Sequence, residues 1–422
     1  MKQGNKMKKW LIFICLIFLT VESAYAYSMA VSKIDRNGNW EWELIEDHDN
    51  FGALNIAIGY DKKNYIYIYE YESLIQLQKN GVENWRIDAF ATALVADDQE
   101  NIYYDNNYEQ LEKHSKSGDL IWQASIENYY TDILAIDAYN NIFVVGSMRN
   151  DTTYSDDYLV MYLNAVDGEK IWSILQNAPD EIVMGGDFLH LNQDRSFFVT
   201  GCYYEHDDEH SDDSGAFIAL HDYNGELVWH KVFEILPTKG FAADSEMNLY
   251  LANDGVDKFN ADGEQQWHLL KNDVEVFELT LDSEENIIGM GRLPYDPSHY
   301  QGESPDVVTF KIDPDGELIW WKVYEPDYII ANKLLVDSED NVIVAGFEGR
   351  TSGSIPIDTS FFALKLDPDG ELLWHETYQP FEGKSAYASD AVLDDEDNIY
   401  IAGYSYDYTD GDDDDEPGCG CF

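Results

Sequence analysis

The sequence Asp-Pro-Asp-Gly-Glu-Leu-Leu-Trp at residues 367–374 recurs almost unchanged at residues 313–320, where it reads Asp-Pro-Asp-Gly-Glu-Leu-Ile-Trp. A second phrase, Asp-Ser-Glu-Asp-Asn-Val-Ile-Val-Ala-Gly, lies between the two copies at residues 337–346. Repeats with short apolar runs and regularly placed turn residues are typical of β-propeller blades. Looser copies of the first phrase, with successive tryptophans 37 to 57 residues apart, end at Trp40, Trp85, Trp122, Trp172, Trp229 and Trp267.

Each repeat has the pattern of four β-strands. In the seventh repeat we expect them at Lys333–Val336, Val342–Ala345, Phe361–Leu366 and Glu371–Tyr378. β-Branched and aromatic residues fill these runs, and Asp-rich turns with Asn or Gly join the first strand to the second and the third to the fourth. The repeating tryptophan then falls on the outermost strand, where we expect its large ring to fill the space between neighbouring blades.

The two ends of the chain predict how the ring closes. The chain finishes with the first half of a blade, at Ala388–Leu393 and Asn398–Tyr404, and it starts with the second half, at Met29–Ile34 and Trp40–Leu44. Joining the halves removes two exposed strand edges. We therefore predict an all-β fold, an eight-bladed β-propeller of four-stranded blades in which the N-terminal strands complete the last blade. Seven blades would result if the short repeat ending at Trp267 were wrongly divided.

The repeats resemble the PQQ-like (quinoprotein-type) repeats of eight-bladed propellers, and also the bacterial propeller repeats abbreviated SBBP, over about residues 27–408. Quinoprotein blades carry Asp, then Gly four residues later, then Trp four further on. Asn164, Gly168 and Trp172 keep that spacing with Asn in place of Asp, whereas most copies, such as the one at Asp367, place Gly three residues on. The resemblance implies the fold, which hosts dehydrogenases, assembly scaffolds, lectins and adhesion modules.

The charge balance excludes some partners. The chain has 26 Lys and Arg against 82 Asp and Glu, a formal charge of −56. Binding to nucleic acid or to an anionic membrane needs clustered basic residues, so neither is expected. A hydrophobic content of 45% with 14% aromatic residues is typical of a folded chain.

The two termini predict an exported protein with an acidic tail. Lysines precede an apolar run at Trp10–Val21, and Ala24-Tyr25-Ala26 follows, which is the pattern of a secretory signal peptide at residues 1–26. The run is too short to span a bilayer, which favours a signal peptide over a membrane anchor. No other stretch is apolar enough to cross a bilayer, so no membrane span is expected after cleavage. We expect a periplasmic, secreted or cell-surface protein with a single propeller domain at residues 27–408. Residues 409–422 should form a disordered acidic tail, whose end is similar to the start of cysteine-containing C-terminal sorting signals in some bacteria.

Strand alternation places the connections between strands two and three, and those between blades, on one face of the propeller. We call it the loop face, and the face with the short Asp-rich turns the turn face. The longest connections are expected at Met148–Tyr158, Cys202–Gly215, Arg292–Asp306 and Glu348–Ser360. Their tyrosines are candidates for binding a protein partner or a surface glycan, because a phenol combines apolar area with a polar tip; otherwise the loops are merely solvated. These tyrosines are Tyr154, Tyr203, Tyr204, Tyr295 and Tyr300.

Acidic groups in the same connections predict a metal site. Calcium prefers several carboxylate and carbonyl oxygens. The stretch at 206–210 also matches the H-x-x-E-H zinc-protease pattern, but that chemistry needs a helix and the stretch is expected in a loop. Candidate calcium ligands in the loop are Asp207, Asp208, Asp212 and Asp213, and a second acidic group lies at 410–416 in the tail.

The sequence thus favours an exported propeller that acts as a binding or scaffold module through its loop face. The alternative implied by the resemblance is a quinone- or calcium-dependent, dehydrogenase-like periplasmic enzyme on the same fold. Such enzymes use calcium, an acidic base and in many cases adjacent cysteines, and this chain has no adjacent cysteine pair. We predict no catalytic residue and no cofactor other than calcium.

Overall fold

The computed structural model describes residues 27–406 except for connecting segments. The segments outside the description are 49–56, 61–64, 71–72, 90, 92, 107–109, 127–128, 150–155, 177–181, 185–187, 193–195, 206–213, 234–239, 253–254, 270–273, 294–305, 325–327 and 353–354. Within the described ranges the regular secondary structure consists of β-strands, which form eight antiparallel sheets. No helix in these ranges is long and apolar enough to cross a membrane.

The strands of the first half follow one another in chain order. The described part of the chain begins with β1 (Tyr27–Ile34) and β2 (Trp40–His48). Blade 1 contains β3 (Ala57–Tyr60), β4 (Tyr65–Glu70), β5 (Ser73–Gln78) and β6 (Glu83–Asp88). Blade 2 contains β7 (Leu94–Ala96), β8 (Ile102–Asn106), β9 (Gln110–His114) and β10 (Leu120–Ser125). Blade 3 contains β11 (Tyr129–Ile136), β12 (Ile142–Arg149), β13 (Asp156–Leu163) and β14 (Lys170–Gln176). Blade 4 contains β15 (Ile182–Met184), β16 (Phe188–Leu191), β17 (Phe197–Glu205), β18 (Ser214–His221) and β19 (Leu227–Phe233).

The second half continues the pattern and returns to the start of the chain. Blade 5 contains β20 (Phe241–Ala243), β21 (Leu249–Ala252), β22 (Val256–Phe259) and β23 (Gln265–Leu269). Blade 6 contains β24 (Glu275–Leu281), β25 (Ile287–Arg292), β26 (Val307–Ile312) and β27 (Leu318–Tyr324). Blade 7 contains β28 (Tyr328–Val336), β29 (Val342–Ser352), β30 (Ile355–Leu366) and β31 (Leu372–Tyr378). Blade 8 takes β32 (Tyr387–Leu393) and β33 (Ile399–Tyr406) from the C-terminal end.

The N-terminal strands complete blade 8. The strand order of this sheet is β2-β1-β33-β32, and β1 pairs with β33 from Tyr27 opposite Tyr406 to Ile34 opposite Ile399. The predicted ring closure and the prediction of eight blades are therefore confirmed. The seven-blade alternative is wrong, because the short repeat ending at Trp267 is a complete four-stranded sheet.

An aspartate fixes the first turn of most blades. In blade 7, Oδ1 of Asp337 accepts the backbone N–H groups of Glu339 and Asn341, both at 2.9 Å, and Asn341 Nδ2 donates to Oδ2 at 2.8 Å. Asp340, just before the asparagine, has a φ of 64°, a left-handed conformation that Asp and Asn tolerate better than most residues. Equivalent aspartates that bind their turns in this way are Asp97, Asp137, Asp244, Asp282 and Asp394.

The repeating tryptophan joins each blade to the next, as predicted. The indole N–H of Trp320 in blade 6 donates to the carbonyl oxygen of Pro368 in blade 7 at 3.0 Å, and its ring lies against Gly370, which has a φ of 80°. A Cβ at Gly370 would lie 2.7 Å from this ring. The same hydrogen bond, to the third turn of the next blade, is made by Trp85, Trp122, Trp229 and Trp267.

In blade 8 this tryptophan is Trp42, so the assignment of Trp40 to the repeat is wrong. Trp42 donates to the carbonyl oxygen of Lys79 at 2.9 Å and covers Gly81 of blade 1. The docking tryptophan follows the turn glycine by four residues, and Trp42 stands at that distance from Gly38. Trp40 instead stacks on Tyr378 of blade 7, with ring centroids 4.5 Å apart.

Buried lysines reinforce the same joints. Lys365 Nζ lies 2.7 Å from Asp337 Oδ2 and donates to the carbonyl oxygen of Arg36, in blade 8, at 3.3 Å. Although burial by itself raises the pKa of Asp337, the hydrogen bonds from Lys365 and Asn341 outweigh it and leave the pKa below its ordinary value. Lys311 makes the matching contacts to Asp282 and to the next blade. The turn face is thus a ring of side-chain and backbone contacts that hold successive blades together.

Candidate functional site

Most of the predicted binding residues lie outside the described residues. This holds for Tyr154, Tyr295 and Tyr300, and for the candidate calcium ligands Asp207, Asp208, Asp212 and Asp213. Tyr203 and Tyr204 are in β17, where their backbones pair with Gly215 and Ser214 of β18, so the predicted connection is shorter than Cys202–Gly215. The calcium site and the tyrosine contacts stay predictions.

The segment Glu348–Ser360 is part of a hairpin, and its prediction as a loop is wrong. Strands β29 and β30 continue to Ser352 and from Ile355, and their pairing is interrupted by a register shift between Glu348 and Arg350. Asp358, at a φ of 51°, lies where the shift is accommodated. The sequence does not predict this extension of the two strands, because the segment lacks the alternation of apolar and polar residues that marks a half-buried strand.

The connection between blades 7 and 8 is fixed against this hairpin. Gln379 Nε2 and the backbone N–H of Ala386 both donate to the carbonyl oxygen of Thr359, at 2.7 and 2.8 Å. Phe381, between them, is 4% exposed and packs into the core of blades 7 and 8. Blades 7 and 8 therefore present a defined surface at the loop face.

Four aromatic rings lie at the loop-face ends of the strands in these two blades. Tyr387 stacks on Tyr404 with ring centroids 5.5 Å apart and meets the edge of Phe347 at 5.2 Å. Phe347 in turn lies 6.2 Å from Tyr328. Tyr387 is 9% exposed, and the other three rings are partly exposed. We call these four residues the aromatic cluster.

The phenols of the aromatic cluster lie close enough to affect one another. Burial, followed by the neighbouring hydroxyl groups of Tyr387 and Tyr328, raises the pKa of Tyr404 to about 12. The phenol of Tyr404 is therefore neutral at physiological pH, and a neutral phenol can both donate and accept hydrogen bonds. The cluster combines apolar ring area with polar tips, which is the chemistry expected of a binding surface.

A charged group lies deeper along the same strands. The first strands β24, β28 and β32 line the channel, as inner strands do in a propeller, and each has a β-bulge just before the charged residue. Lys333 Nζ lies 3.5 Å from Glu278 Oε1 in blade 6 and 3.8 Å from Asp390 Oδ1 in blade 8. The bulges turn these residues toward each other across three blades, a displacement that strand alternation alone does not predict.

The channel charges are already satisfied by the protein. Glu278 Oε2 accepts the backbone N–H of Leu334 at 2.7 Å, and Asp390 Oδ1 accepts that of Ala391 at 2.9 Å. Burial raises the pKa of Glu278, and the ammonium group of Lys333 opposes this shift. The three side chains act as an inter-blade bridge on the channel wall. In the described part of the chain, His, Cys, Asp and Glu do not gather in threes in a metal-binding arrangement.

A second polar group is enclosed within blade 2. Glu112 Oε2 accepts the hydroxyl of Tyr104 at 2.8 Å and lies 2.8 Å from His114 Nε2. The hydrogen bond from His114 lowers the pKa of Glu112 to about 2, against the effect of burial. Tyr104 is 0% and His114 is 5% exposed, so this group stabilises the blade.

The comparisons with known proteins show the fold. No model of a protein family matches the chain. No curated protein matches its sequence. Among solved structures, it is similar to the Dos1 propeller, with a TM-score of 0.51 and 10% identity over 84% of this chain and 93% of that one. It is equally similar to the WD40 domain of SCAP from fission yeast, with a TM-score of 0.51 and 10% identity over 84% of this chain and 95% of the other.

Proposed function

We propose that this protein is an exported binding or scaffold module whose loop face, at blades 7 and 8, holds a protein partner or a surface glycan. The propeller fold is commonly used as a rigid platform for such contacts. The observation that supports this proposal is the aromatic cluster of Tyr328, Phe347, Tyr387 and Tyr404, in which every ring except that of Tyr387 is partly exposed.

The geometry favours binding over chemistry at this position. Aromatic residues dominate the energetics of binding surfaces because they bury much area with few rotatable bonds. The channel carboxylates Glu278 and Asp390 lie within 3.8 Å of Lys333 Nζ and accept backbone N–H groups. An enzyme that used these carboxylates with a quinone or calcium would have to displace these contacts. The proposal also includes export of the protein, a quinoprotein-type classification of its repeats and calcium binding by its acidic loops.

Hydroxyl-radical footprinting tests the proposed face without a known partner. The purified chain would be labelled alone and after mixing with a cell-envelope extract of the source organism. We expect protection of Tyr328, Phe347 and Tyr404, whose rings are partly exposed in the free chain. Tyr139 and Tyr223, which are 66% and 51% exposed on the turn face, serve as internal controls.

The outcome also separates the two partner classes. Loss of protection after protease treatment of the extract indicates a protein, and loss after periodate oxidation indicates a glycan. A Tyr387→Ala variant should lose protection at the remaining tyrosines, whereas Tyr139→Ala should not. Protection confined to the turn-face tyrosines, or none at all, would contradict the proposed face.

A further inference from the structure

The joint between blades 3 and 4 lacks two of the contacts that fasten other joints. Among the described residues, the indole N–H of Trp172 has no hydrogen-bond partner, whereas the docking tryptophans of blades 2 and 4 each donate to a carbonyl oxygen. Tyr162 stands where blade 7 has Lys365, so β13 has no lysine to reach the next blade. Packed rings make up much of this joint, and Trp172 stacks on Phe197 with ring centroids 5.9 Å apart.

A tyrosine and a histidine form a hydrogen bond across this joint. Tyr158 on β13 is 1% exposed and His221 at the end of β18 is 0% exposed, and the phenol oxygen lies 2.8 Å from Nε2 of the imidazole. Nδ1 of His221 lies 3.2 Å from the carbonyl oxygen of Gly225, which can only accept, so Nδ1 carries a proton. In the neutral ring Nε2 therefore accepts, and the hydroxyl of Tyr158 donates.

Aromatic rings enclose this hydrogen bond. His221 stacks on Phe197 with ring centroids 5.1 Å apart, and Tyr158 stacks on Phe217 with centroids 4.9 Å apart. Tyr158, Phe197 and Phe217 all belong to the shared core of blades 3 and 4. A charge on the imidazole would therefore lie in apolar surroundings, where it is costly unless it is paired.

Few titratable groups act on His221. Of the described residues, Asp222 is the charged group that affects it, and the Asp222 carboxylate already accepts two backbone N–H groups of its own turn. Burial lowers the pKa of His221, and the hydrogen bond to Gly225 and the charge of Asp222 oppose this shift. The other titratable side chains on this side of the joint, besides Tyr158, are Tyr162, whose hydroxyl donates to Asp137, and the exposed His230.

Blade 2 has a histidine at the same position with a different partner. His114 also precedes the third turn of its blade, and its Nδ1 lies 3.0 Å from the carbonyl oxygen of Gly118. Its Nε2 lies 2.8 Å from the carboxylate of Glu112, so both ring nitrogens face an acceptor. In blade 4 the residue equivalent to Glu112 is Ala219, two residues before His221. Blade 4 therefore offers no carboxylate at this position to a charged imidazole.

We propose that the contact between Tyr158 and His221 is an acid-sensitive latch, and that proton uptake at His221 opens the joint between blades 3 and 4. A proton on Nε2 turns that nitrogen into a donor that faces the hydroxyl of Tyr158. The hydroxyl then has to direct its own hydrogen into the apolar core, and the new charge lies against Phe197. Opening the joint relieves both costs, because water reaches the two side chains.

The latch should weaken below the ordinary histidine pKa of 6.5. In the open joint His221 is hydrated and binds a proton as the pH falls through that value, whereas in the closed joint it stays neutral. Each pH unit below 6.5 therefore favours the open joint by up to about tenfold, as long as the closed joint binds no proton. Above 6.5 the latch should not depend on pH.

Thiol labelling at two buried positions tests the proposal. In the full chain, with its four native cysteines replaced by serine, Val160→Cys reports on the joint between blades 3 and 4, and Val344→Cys on that between blades 6 and 7. Both valines are 0% exposed. A disulfide reagent that reacts in acid is used at pH 7.5 and 4.5, and each rate is divided by that of an unstructured peptide. We expect the corrected rate to rise about fivefold or more for Val160→Cys and less than about twofold for Val344→Cys.

A double substitution identifies the titrating group. Tyr158→Phe/His221→Leu removes both hydrogen-bonding partners and places leucine where blade 7 has Leu366, so the rise in acid should vanish. If this variant exposes both reporter thiols at pH 7.5, His221→Phe replaces it, since Phe259 occupies the same position in blade 5.

The matched control is His190→Gln on the other side of blade 4. His190 pairs with Phe198, whose ring packs in the shared core of blades 4 and 5. This variant should keep the rise at the joint between blades 3 and 4. Loss of the rise without His221 and its retention in the control support the proposal. No rise in the first reporter, an equal rise in both reporters, a rise that persists without His221, or its loss in His190→Gln would each overturn it.

Discussion

Replacing Gly370 by Ala should destabilise the protein by more than its backbone conformation explains. Gly370 has a φ of 80°, where a Cβ costs about 1–2 kcal/mol in any L-residue. The new methyl group would also lie 2.7 Å from the ring of Trp320. That ring is held by its hydrogen bond to Pro368 and is 8% exposed, so it has little room to move. Overpacking of this kind costs about 1–3 kcal/mol more.

Gly383→Ala is the matched control for the backbone contribution. Gly383 has a φ of 74°, and its added Cβ would have nothing within 4 Å. Gly383→Ala should therefore lower the free energy of unfolding by about 1–2 kcal/mol, which is the cost of the backbone conformation alone. The difference between the two variants isolates the contact between blades 6 and 7.

Thermal unfolding followed by circular dichroism measures that difference. Over residues 27–406 the unfolding entropy is about 0.8 kcal/mol/K, so each kcal/mol lowers the Tm by about 1.3 °C. We expect a Tm about 1–3 °C below wild type for Gly383→Ala and about 3–6 °C below it for Gly370→Ala. Equal shifts would refute the idea that the tryptophan–glycine contact is tightly packed.

Three further predictions concern the blade joints and the channel. Lys365→Met should lower the free energy of unfolding in urea by about 3–5 kcal/mol, because it leaves the buried carboxylate of Asp337 without its ion pair. The control Lys322→Met removes a more exposed ion pair with Glu371 and should lower it by under about 1 kcal/mol. Similar losses in the two variants would contradict the role of the buried lysine. Trp42→Phe should cost about 1 kcal/mol more than Trp40→Phe in the same assay, since Trp42 makes the hydrogen bond to blade 1; a larger loss at Trp40 would restore the original assignment. Burial lowers the pKa of His190 to about 4, so below pH 6.5 the unfolded chain binds a proton that the folded chain does not, and stability is lost as the pH falls from 6.5 to 4. In thermal melts His190→Gln should reduce this loss of stability by about 2–3 kcal/mol. An unchanged dependence of stability on pH would contradict the prediction.

The sequence predicts the blades well because the residues that build them act locally. The turn of Asp337 is specified within five residues, and the glycine and tryptophan of each third turn lie four residues apart. Trp40 lies only two residues after Gly38, whereas each docking tryptophan follows its turn glycine by four residues, and this spacing is the physical constraint. The β-bulge that places Lys333 at the channel depends on the register in which β28 pairs with β29. This register is not visible as a pattern in a single sequence. The aromatic cluster was missed for a related reason, since its members are ordinary strand residues until two blades bring them together.

The placement of the lysines links the stability of the ring to its surface chemistry. Lys33, Lys113, Lys311 and Lys365 are buried within the blades, where three of them bind first-turn aspartates. Lysine is rarely buried unless it is paired, so these contacts are specific to the fold. Because the chain has only 26 basic residues against 82 acidic ones, the use of lysines inside the blades leaves fewer cations for the exterior. Close association of such a surface needs a basic partner or a contact without carboxylates. The aromatic cluster on the loop face is a place where the described surface offers such a contact.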